Sequence, residues 1–195
     1  PTPMPPPPPA PIASAPILPG ATLGVLGGGQ LGAMFAAAAK RMGYRVEAVA
    51  DEADCPAARH ADRVHVGLLD DPHRLVEAAR RFAAVTYEFE NVPVAAARAL
   101  AAIVPVRPSP DVLHVTQDRA REKAFLAAHG FPCVPNALVR DEADLAGAAA
   151  AVGLPAVLKT SASGYDGKGQ RRVTSEREVE AAWRDLGGVA AVLER

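Results

Sequence analysis

Short apolar runs alternate with longer alanine-rich segments between Thr22 and Val106. The short runs predict buried strands, and the longer segments predict helices. This β-α-β order predicts a parallel sheet with right-handed crossovers, whose ligand-binding loops follow the carboxyl ends of the strands. The predicted strands cover residues 23–26, 46–50, 63–66, 84–87 and 104–106, and the predicted helices cover 30–42, 72–81 and 94–102.

The pattern changes after Pro108 and Pro110, which interrupt the alternation. The remaining residues predict an α+β unit with a polar, glycine-rich loop at 161–169. Ser175 and Glu178 form a capping box that opens its last helix. A sheet this small is normally completed by further strands, so we expect an incomplete second domain. The helices are predicted at 117–129, at 141–152 and from Ser175 to 186, and the strands at 156–159, 170–173 and 189–193.

The amino-terminal segment has a different composition, since ten of the 19 prolines lie within residues 1–19 and that segment carries no charged side chain. It predicts an extended or disordered tail and lacks the basic start of a secretory signal. The expected organisation is therefore a proline-rich tail at 1–19, a Rossmann-like domain at 20–112 and the first part of a second domain at 113–195.

The composition of the chain argues against some classes of binding partner. The net charge of −1 provides no large field of one sign, so we expect neither nucleic acid nor a membrane as a partner. No apolar run is long enough to span a bilayer. Cys55 and Cys133 form no metal-ligand pair and no disulfide framework, which indicates reduced thiols and a cytoplasmic location. The five histidines lack zinc-type spacing.

The first candidate site is the glycine loop that follows the first predicted strand. Gly27, Gly29 and Gly32 fit the G-x-G-x-x-G spacing of a dinucleotide-binding loop, and Asp51 lies where such folds bind a ribose. The amino end of the following helix can receive a phosphate. The motif alone leaves open whether the ligand is NAD or another molecule.

Two acidic residues, Glu88 and Glu90, follow the fourth predicted strand. At the carboxyl edge of the sheet they should lie near the glycine loop, where they could accept hydrogen bonds from ribose hydroxyls or from an amine. Alternatively, either carboxylate could cap the helix that begins near Pro93. The two interpretations are about equally supported by the sequence.

The second candidate site is Lys159, which ends an apolar strand, together with the loop that follows it. A fixed cation beneath a glycine-rich flap, with Lys168 as a second cation, suits a polyphosphate. The spacing is not that of a Walker loop. The alternative is an exposed hairpin with solvated lysines. On the charged helix near 117–125, we expect Arg121, Glu122 and Lys123 to form a solvated face.

Together, these stretches resemble the ATP-grasp superfamily, and within it the 5-(carboxyamino)imidazole ribonucleotide synthase family of purine biosynthesis. The motifs occur in the family's order: GVLGGGQLG, YEFENVP, RPSP followed by QDRAREKAFL, PAVLKT, GYDGKGQ and VLER. Each motif alone is a weak signal for the family, but YEFENVP combined with GYDGKGQ is a strong one. A departure is Ala33, where many relatives carry arginine. The resemblance implies an α/β Rossmann-like pre-ATP-grasp domain with a parallel sheet, an incomplete α+β ATP-grasp domain, and no NAD.

The resemblance also implies roles for individual residues. Phosphate contacts, a lid and an adenine–ribose contact would come from Arg119, Lys159, Gly164, Tyr165, Asp166, Gly167, Lys168, Gly169, Gln170 and Glu194. Substrate contacts would come from Gly29, Gln30, Leu31, Glu88, Tyr165 and Asp166. The family's magnesium carboxylates would lie beyond Arg195, so the resemblance implies no metal site and no identified catalytic residue within these 195 residues.

The implied reaction converts ATP, bicarbonate and 5-aminoimidazole ribonucleotide to the carboxyamino product, ADP and phosphate. Bicarbonate would attack the γ-phosphate to give carboxyphosphate, which delivers CO2 to the exocyclic amine. Two magnesium ions, a homodimer and an inactive isolated fragment belong to the same expectation. The alternatives are another ATP-grasp ligase or carboxylase, an NAD-dependent oxidoreductase, and a nucleotide-binding remnant without catalysis.

Overall fold

The computed structural model describes residues 15–162 and 168–195. The chain divides into two compact units, Pro1–Leu113 and His114–Arg195. The division lies one residue from the boundary predicted at 112, but the three-part organisation stays a prediction. Most of the predicted tail lies outside the described residues. Within its described end, the carbonyl of Ile17 accepts a hydrogen bond from the Tyr44 hydroxyl at 2.7 Å.

The first unit is built on a parallel sheet of four strands in the order β3-β2-β1-β4. Helices follow the strands as the alternating pattern predicts, and the α/β class is confirmed. A 3-10 helix at Pro56–Arg59 is an addition that the sequence analysis did not predict. The strands are β1 Thr22–Leu26, β2 Arg45–Ala50, β3 Arg63–Val66 and β4 Ala84–Tyr87, and the helices are α1 Gln30–Arg41, α2 Pro72–Ala79 and α3 Val94–Ala101. Helix α4, Pro110–Thr116, begins in this unit and ends after the division at Leu113.

Successive residues of β1 enter different cores. Val25 belongs to a cluster with Ala36 and Ala39 of α1, whereas Leu26 belongs to a cluster with residues of α2 and α3 such as Leu75. This follows from the two-residue period of a strand, which turns neighbouring side chains to opposite faces of the sheet. The sheet is therefore covered by apolar side chains on both faces, as expected for parallel strands.

One expectation about the end of this unit was wrong. The predicted strand at 104–106 is reduced to a single parallel bridge between Val85 and Val106. In addition, Pro110 opens helix α4, which the sequence analysis did not predict. A proline fits the first helical turn, where its missing N–H would have no helical partner.

The second unit contains an antiparallel sheet in the order β5-β8-β6-β7. Three of the strands were predicted, but β5 was not. Because β5 pairs with β8, the sheet has four strands and is more complete than the sequence analysis expected. The strands are β5 Asn136–Val139, β6 Ala156–Thr160, β7 Gln170–Val173 and β8 Ala191–Glu194, and the helices are α5 Arg119–Ala128, α6 Asp144–Val152 and α7 Glu176–Asp185.

The core of the second unit joins its sheet to two helices. Leu158 and Leu193 are fully buried in one cluster with Leu145 of α6 and Val179 of α7. Helix α7 begins as predicted, because the Ser175 side chain accepts a hydrogen bond from the Glu178 amide. This packing fixes β6 and β8 side by side, which matters for the second candidate site.

A buried carboxylate cluster in the first unit combines three charged or titratable side chains. Glu47 on β2 is 9% exposed and accepts hydrogen bonds from Arg81 Nη2 at 2.6 Å and from Arg81 Nε at 2.9 Å. His65 Nε2 lies 2.6 Å from the same carboxylate. Burial alone would raise the pKa of Glu47, but the hydrogen bonds and charges of Arg81 and His65 outweigh it and hold the pKa below its usual value.

We expect the substitution Glu47→Gln to lower the free energy of unfolding at pH 7 by about 1–3 kcal/mol, because it removes charge-assisted hydrogen bonds inside the unit. A lowered pKa means that this contribution is complete above the unfolded-state pKa of 4.5 and is lost as the pH falls through the folded-state pKa. Urea denaturation of both proteins should therefore show a difference that shrinks below about pH 4.5.

The matched control for Glu47 is Glu77→Gln, which breaks an exposed pair with Arg80 at 2.8 Å. Both side chains of that pair are largely exposed, so its loss should cost less than about 1 kcal/mol. Equal costs for the two substitutions, or a Glu47 effect that does not change with pH, would contradict the role given to the buried cluster.

Candidate functional site

The glycine loop and Glu88 lie together at the carboxyl end of the first sheet. β1 and β4 are parallel neighbours, with Leu26 opposite Tyr87, and the Glu88 amide donates to the Leu26 carbonyl at 3.0 Å. The Glu88 carboxylate accepts hydrogen bonds from the amides of Gly29 and Gly32, both at 2.5 Å. Glu88 therefore caps helix α1 rather than the helix that begins after Pro93, since a carboxylate stabilises a helix amino end.

The loop glycines provide the space that this carboxylate occupies. Gly27 has a φ of +115°, and a Cβ built on it would lie 2.3 Å from Glu88 Cγ. A Cβ on Gly29 would lie 2.8 Å from Glu88 Oε1, and one on Gly32 would lie 2.8 Å from the Gly27 carbonyl oxygen. The G-x-G-x-x-G spacing thus accommodates a side chain of the protein itself.

This arrangement alters the prediction of a phosphate at the start of α1. In dinucleotide-binding folds the pyrophosphate lies against the amides at this helix end. Here the amides of Gly29 and Gly32 already donate to Glu88, whose negative charge would repel a phosphate. The geometry therefore disfavours the NAD hypothesis that the motif alone left open.

Beside the loop is an acidic cleft of about 400 Å³. Asp51, expected near a ribose, lines it together with Glu88. Gln30 and Leu31 begin helix α1 with exposed side chains and are not among the residues described as lining the cleft. The sequence analysis missed several of its walls, although they directly follow β2, where ligand loops are expected: Glu52, Asp54, Cys55 and Pro56.

The second candidate site is a charged cluster on the second sheet. Glu194 of β8 lies opposite Val157 of β6, and Lys159 is two residues further along β6. Lys159 and Glu194 are therefore diagonal neighbours on one face, where long side chains can meet. Lys159 Nζ hydrogen-bonds to Glu194 Oε1. Two residues that were predicted separately are thus brought into contact.

A third member of this cluster was missed by the sequence analysis. Lys123 of α5 is not part of a solvated face, because its side chain is 22% exposed and its Nζ lies 2.7 Å from Glu194 Oε2. Burial raises the pKa of Glu194, but hydrogen bonds from Lys123 and Lys159 outweigh it and hold the pKa below its usual value. The carboxylate is therefore charged near neutral pH.

Arg119 ties the start of α5 to the end of β6. Its amide donates to the Ser161 carbonyl at 2.7 Å, and its guanidinium Nη1 donates to the Thr160 carbonyl at 2.7 Å. Asp118 caps the helix by accepting from the Arg121 amide at 2.9 Å. These bonds hold a cation beside the first residues of the glycine-rich loop. The phosphate contact assigned to Arg119 stays a prediction.

The loop borders a cleft of about 710 Å³ within the second unit. Lys168 and Gly169 line it, and Gln170 begins β7 opposite Lys159. Lys159 and Glu194 are not among the residues that line this cleft. Gly164, Tyr165, Asp166 and Gly167 lie outside the described residues, and the lid assigned to them stays a prediction.

The described residues supply cations and hydrogen-bond donors rather than a metal centre. Within residues 15–162 and 168–195, no group of three or more His, Cys, Asp or Glu side chains could hold a metal ion. Cys55 and Cys133 are both free thiols. In the same ranges we found no helix with the length and apolar character needed to cross a membrane.

The two units match two family models in chain order. The ribonucleotide synthetase preATP-grasp domain matches residues 20–117, and the ATP-grasp domain matches residues 124–195. The fold and these two matches therefore define an ATP-grasp type of α/β protein. The chain belongs to the ribonucleotide synthetase preATP-grasp family, whose model covers half of it.

Named relatives are N5-carboxyaminoimidazole ribonucleotide synthases. One from Brucella melitensis is 46% identical, covering 90% of this chain and 49% of its own length. A Staphylococcus aureus N5-carboxyaminoimidazole synthetase structure, complexed with ADP, has a TM-score of 0.86 and 32% identity over 92% of this chain and 48% of that one.

A third relative is N5-carboxyaminoimidazole synthase from Aspergillus clavatus, solved in complex with ADP and 5-aminoimidazole ribonucleotide. It has a TM-score of 0.74 and 25% identity, covering 90% of this chain and 46% of that one. The chain spans about half the length of the curated relatives it matches.

Proposed function

We propose that this chain is part of an ATP-dependent ligase that carboxylates 5-aminoimidazole ribonucleotide with bicarbonate, through carboxyphosphate, in purine biosynthesis. The observation that carries the proposal is the likeness of both units, in order and across 90% of the chain, to an N5-carboxyaminoimidazole ribonucleotide synthase. The ADP and ribonucleotide complexes of the solved relatives support the same substrates.

The described cations suit phosphoryl transfer, which depends on positioning and charge neutralisation more than on covalent chemistry. In the proposal, Arg119 and Lys159 contact the phosphates of ATP. Glu194 lies beside the adenine ribose. The lid over the nucleotide consists of Gly164, Tyr165, Asp166, Gly167, Lys168, Gly169 and Gln170.

We propose that residues of the first unit contribute to the ribonucleotide site. Gly29, Gln30 and Leu31 contact the ribonucleotide, and Glu88 supports them by fixing the loop through the Gly29 and Gly32 amides. Tyr165 and Asp166 would face both substrates. Because an acidic carboxylate already occupies the loop, a direct contact from Glu88 would be made to a donor such as an amine or a hydroxyl, not to the phosphate.

Magnesium, a homodimer and a cytoplasmic location complete the proposal. Magnesium would neutralise the polyphosphate, and its carboxylate ligands are expected outside the residues described here. The resemblance to the family supports the dimer. The location is supported by the two free thiols, which are typical of a reducing compartment.

We expect 5-aminoimidazole ribonucleotide to increase ADP release several-fold in the presence of ATP, magnesium and bicarbonate. Because the chain spans about half of its relatives, the full-length gene product should be assayed. Omission of bicarbonate is the control, since carboxyphosphate cannot form without it. ATP binding without stimulation by the ribonucleotide would keep the nucleotide site but contradict the proposed acceptor.

A further inference from the structure

Lys123 shares one carboxylate with the proposed phosphate ligand Lys159. Glu194 Oε1 accepts from Lys159, and Glu194 Oε2 lies 2.7 Å from Lys123 Nζ. The Glu194 side chain is 12% exposed, and those of Lys123 and Lys159 are 22% and 27% exposed. Both oxygens of a mostly buried carboxylate are therefore paired with cations from two different structural elements.

The two lysines are held by different elements of the second unit. Lys159 is held by β6, which pairs with both β7 and β8. Lys123 comes from α5, in whose described residues no side chain is fully buried. This helix is attached at its start, where the Arg119 amide and guanidinium bind the Ser161 and Thr160 carbonyls. The attachment places Lys123 over the sheet without deep packing of its helix.

The charges explain why two lysines are useful. Two cations and one anion leave the cluster with a net positive charge, which attracts a polyphosphate. If Lys159 turns from Glu194 towards a phosphate, Lys123 still neutralises the carboxylate. Without Lys123, the same movement would leave a buried carboxylate unpaired, which is costly. Lys159 would then remain bound to Glu194 and would compete poorly for phosphate.

We propose that Lys123 is a positioning residue that holds and neutralises Glu194, so that Lys159 is available to the phosphates of the nucleotide. This inference rests on the proposed ATP-binding function and adds a residue to that site. Lys123 acts through Glu194 and needs no contact with the nucleotide. Its effect should therefore depend on the number of phosphates in the ligand.

The test compares Lys123→Met with Lys123→Arg in the full-length protein, using ATP and adenosine as probes in titration calorimetry. We expect Lys123→Met to weaken ATP binding about tenfold. Adenosine binding should change less than about twofold, because adenosine has no phosphate for Lys159 and Glu194 stays in place through its hydrogen bond to Lys159. Lys123→Arg should retain ATP affinity to within about threefold, since arginine keeps the charge. Lys40→Met is the matched control, because it removes another lysine–carboxylate pair, Lys40 with Asp62 at 2.6 Å.

The outcomes separate the inference from the function on which it rests. Failure of the unsubstituted protein to bind ATP would overturn the proposed nucleotide site and the inference with it. Normal ATP binding by both wild type and Lys123→Met would overturn the inference alone. An equal loss of ATP and adenosine binding would assign Lys123 a structural role and also overturn it. If Lys123→Met does not fold, Lys123→Arg and Lys123→Gln decide, because their difference isolates the charge.

Discussion

The substitution Gly27→Ala is expected to destabilise the first unit by about 3 kcal/mol or more. Two costs add at this position. The φ of +115° is strained for any residue with a side chain, and the added Cβ would lie 2.3 Å from Glu88 Cγ. Because Cγ is near the backbone, Glu88 cannot withdraw without losing its hydrogen bonds to Gly29 and Gly32. Urea denaturation and hydrogen exchange of the α1 amides would measure the loss.

A matched control separates backbone strain from the steric clash. Gly67 also has a positive φ, +68°, but a Cβ there meets nothing within 4 Å. We expect Gly67→Ala to cost about 1 kcal/mol, the strain alone. In a Glu88→Ala background, Gly27→Ala should become less costly, because the clash is gone while the strain remains. The same cost in both backgrounds would contradict the position given to Glu88.

The sequence predicts the first sheet well because β1 and β2 are short, largely buried apolar runs and the alternation of strands and helices determines a parallel topology. The proximity of Glu88 to the glycine loop follows from the same logic, since carboxyl ends of parallel strands meet. The capping of α1 by Glu88 could not be predicted. It depends on the direction of one side chain, and the glycine spacing is equally compatible with a dinucleotide phosphate.

The second unit shows a different limit of local patterns. β5 is short, follows Pro135 and pairs with β8 far along the chain, so nothing in its own residues marks it as part of a sheet. Lys123 was missed for a related reason. A charged helix near a domain boundary predicts a solvated face, and the partner that buries Lys123 is a glutamate at the end of β8. Tertiary pairing overrides the local pattern in both cases.

The substitution Lys159→Met is expected to lower ATP affinity by about 100-fold, the largest loss we anticipate for a single side chain of the second unit. Lys159 lies on a central strand of its sheet, where β6 is held by pairing with both β7 and β8. Its loss should leave the fold intact, because Glu194 keeps its pair with Lys123. Calorimetric titration with ATP and adenosine, together with thermal unfolding, would measure both effects.

The control for Lys159 is Arg177→Met, which removes a cation from the exposed part of α7 in the same unit. It should bind ATP as the unsubstituted protein does. Loss of adenosine binding equal to that of ATP would show that Lys159 supports the base or the fold rather than the phosphates. The size of the loss in ATP affinity should distinguish Lys159 from Lys123. Removing Lys159, a direct phosphate ligand, forfeits its charge-assisted hydrogen bonds to the phosphates. Removing Lys123 leaves Lys159 in place and only strengthens the competition of Glu194 for the Lys159 ammonium group.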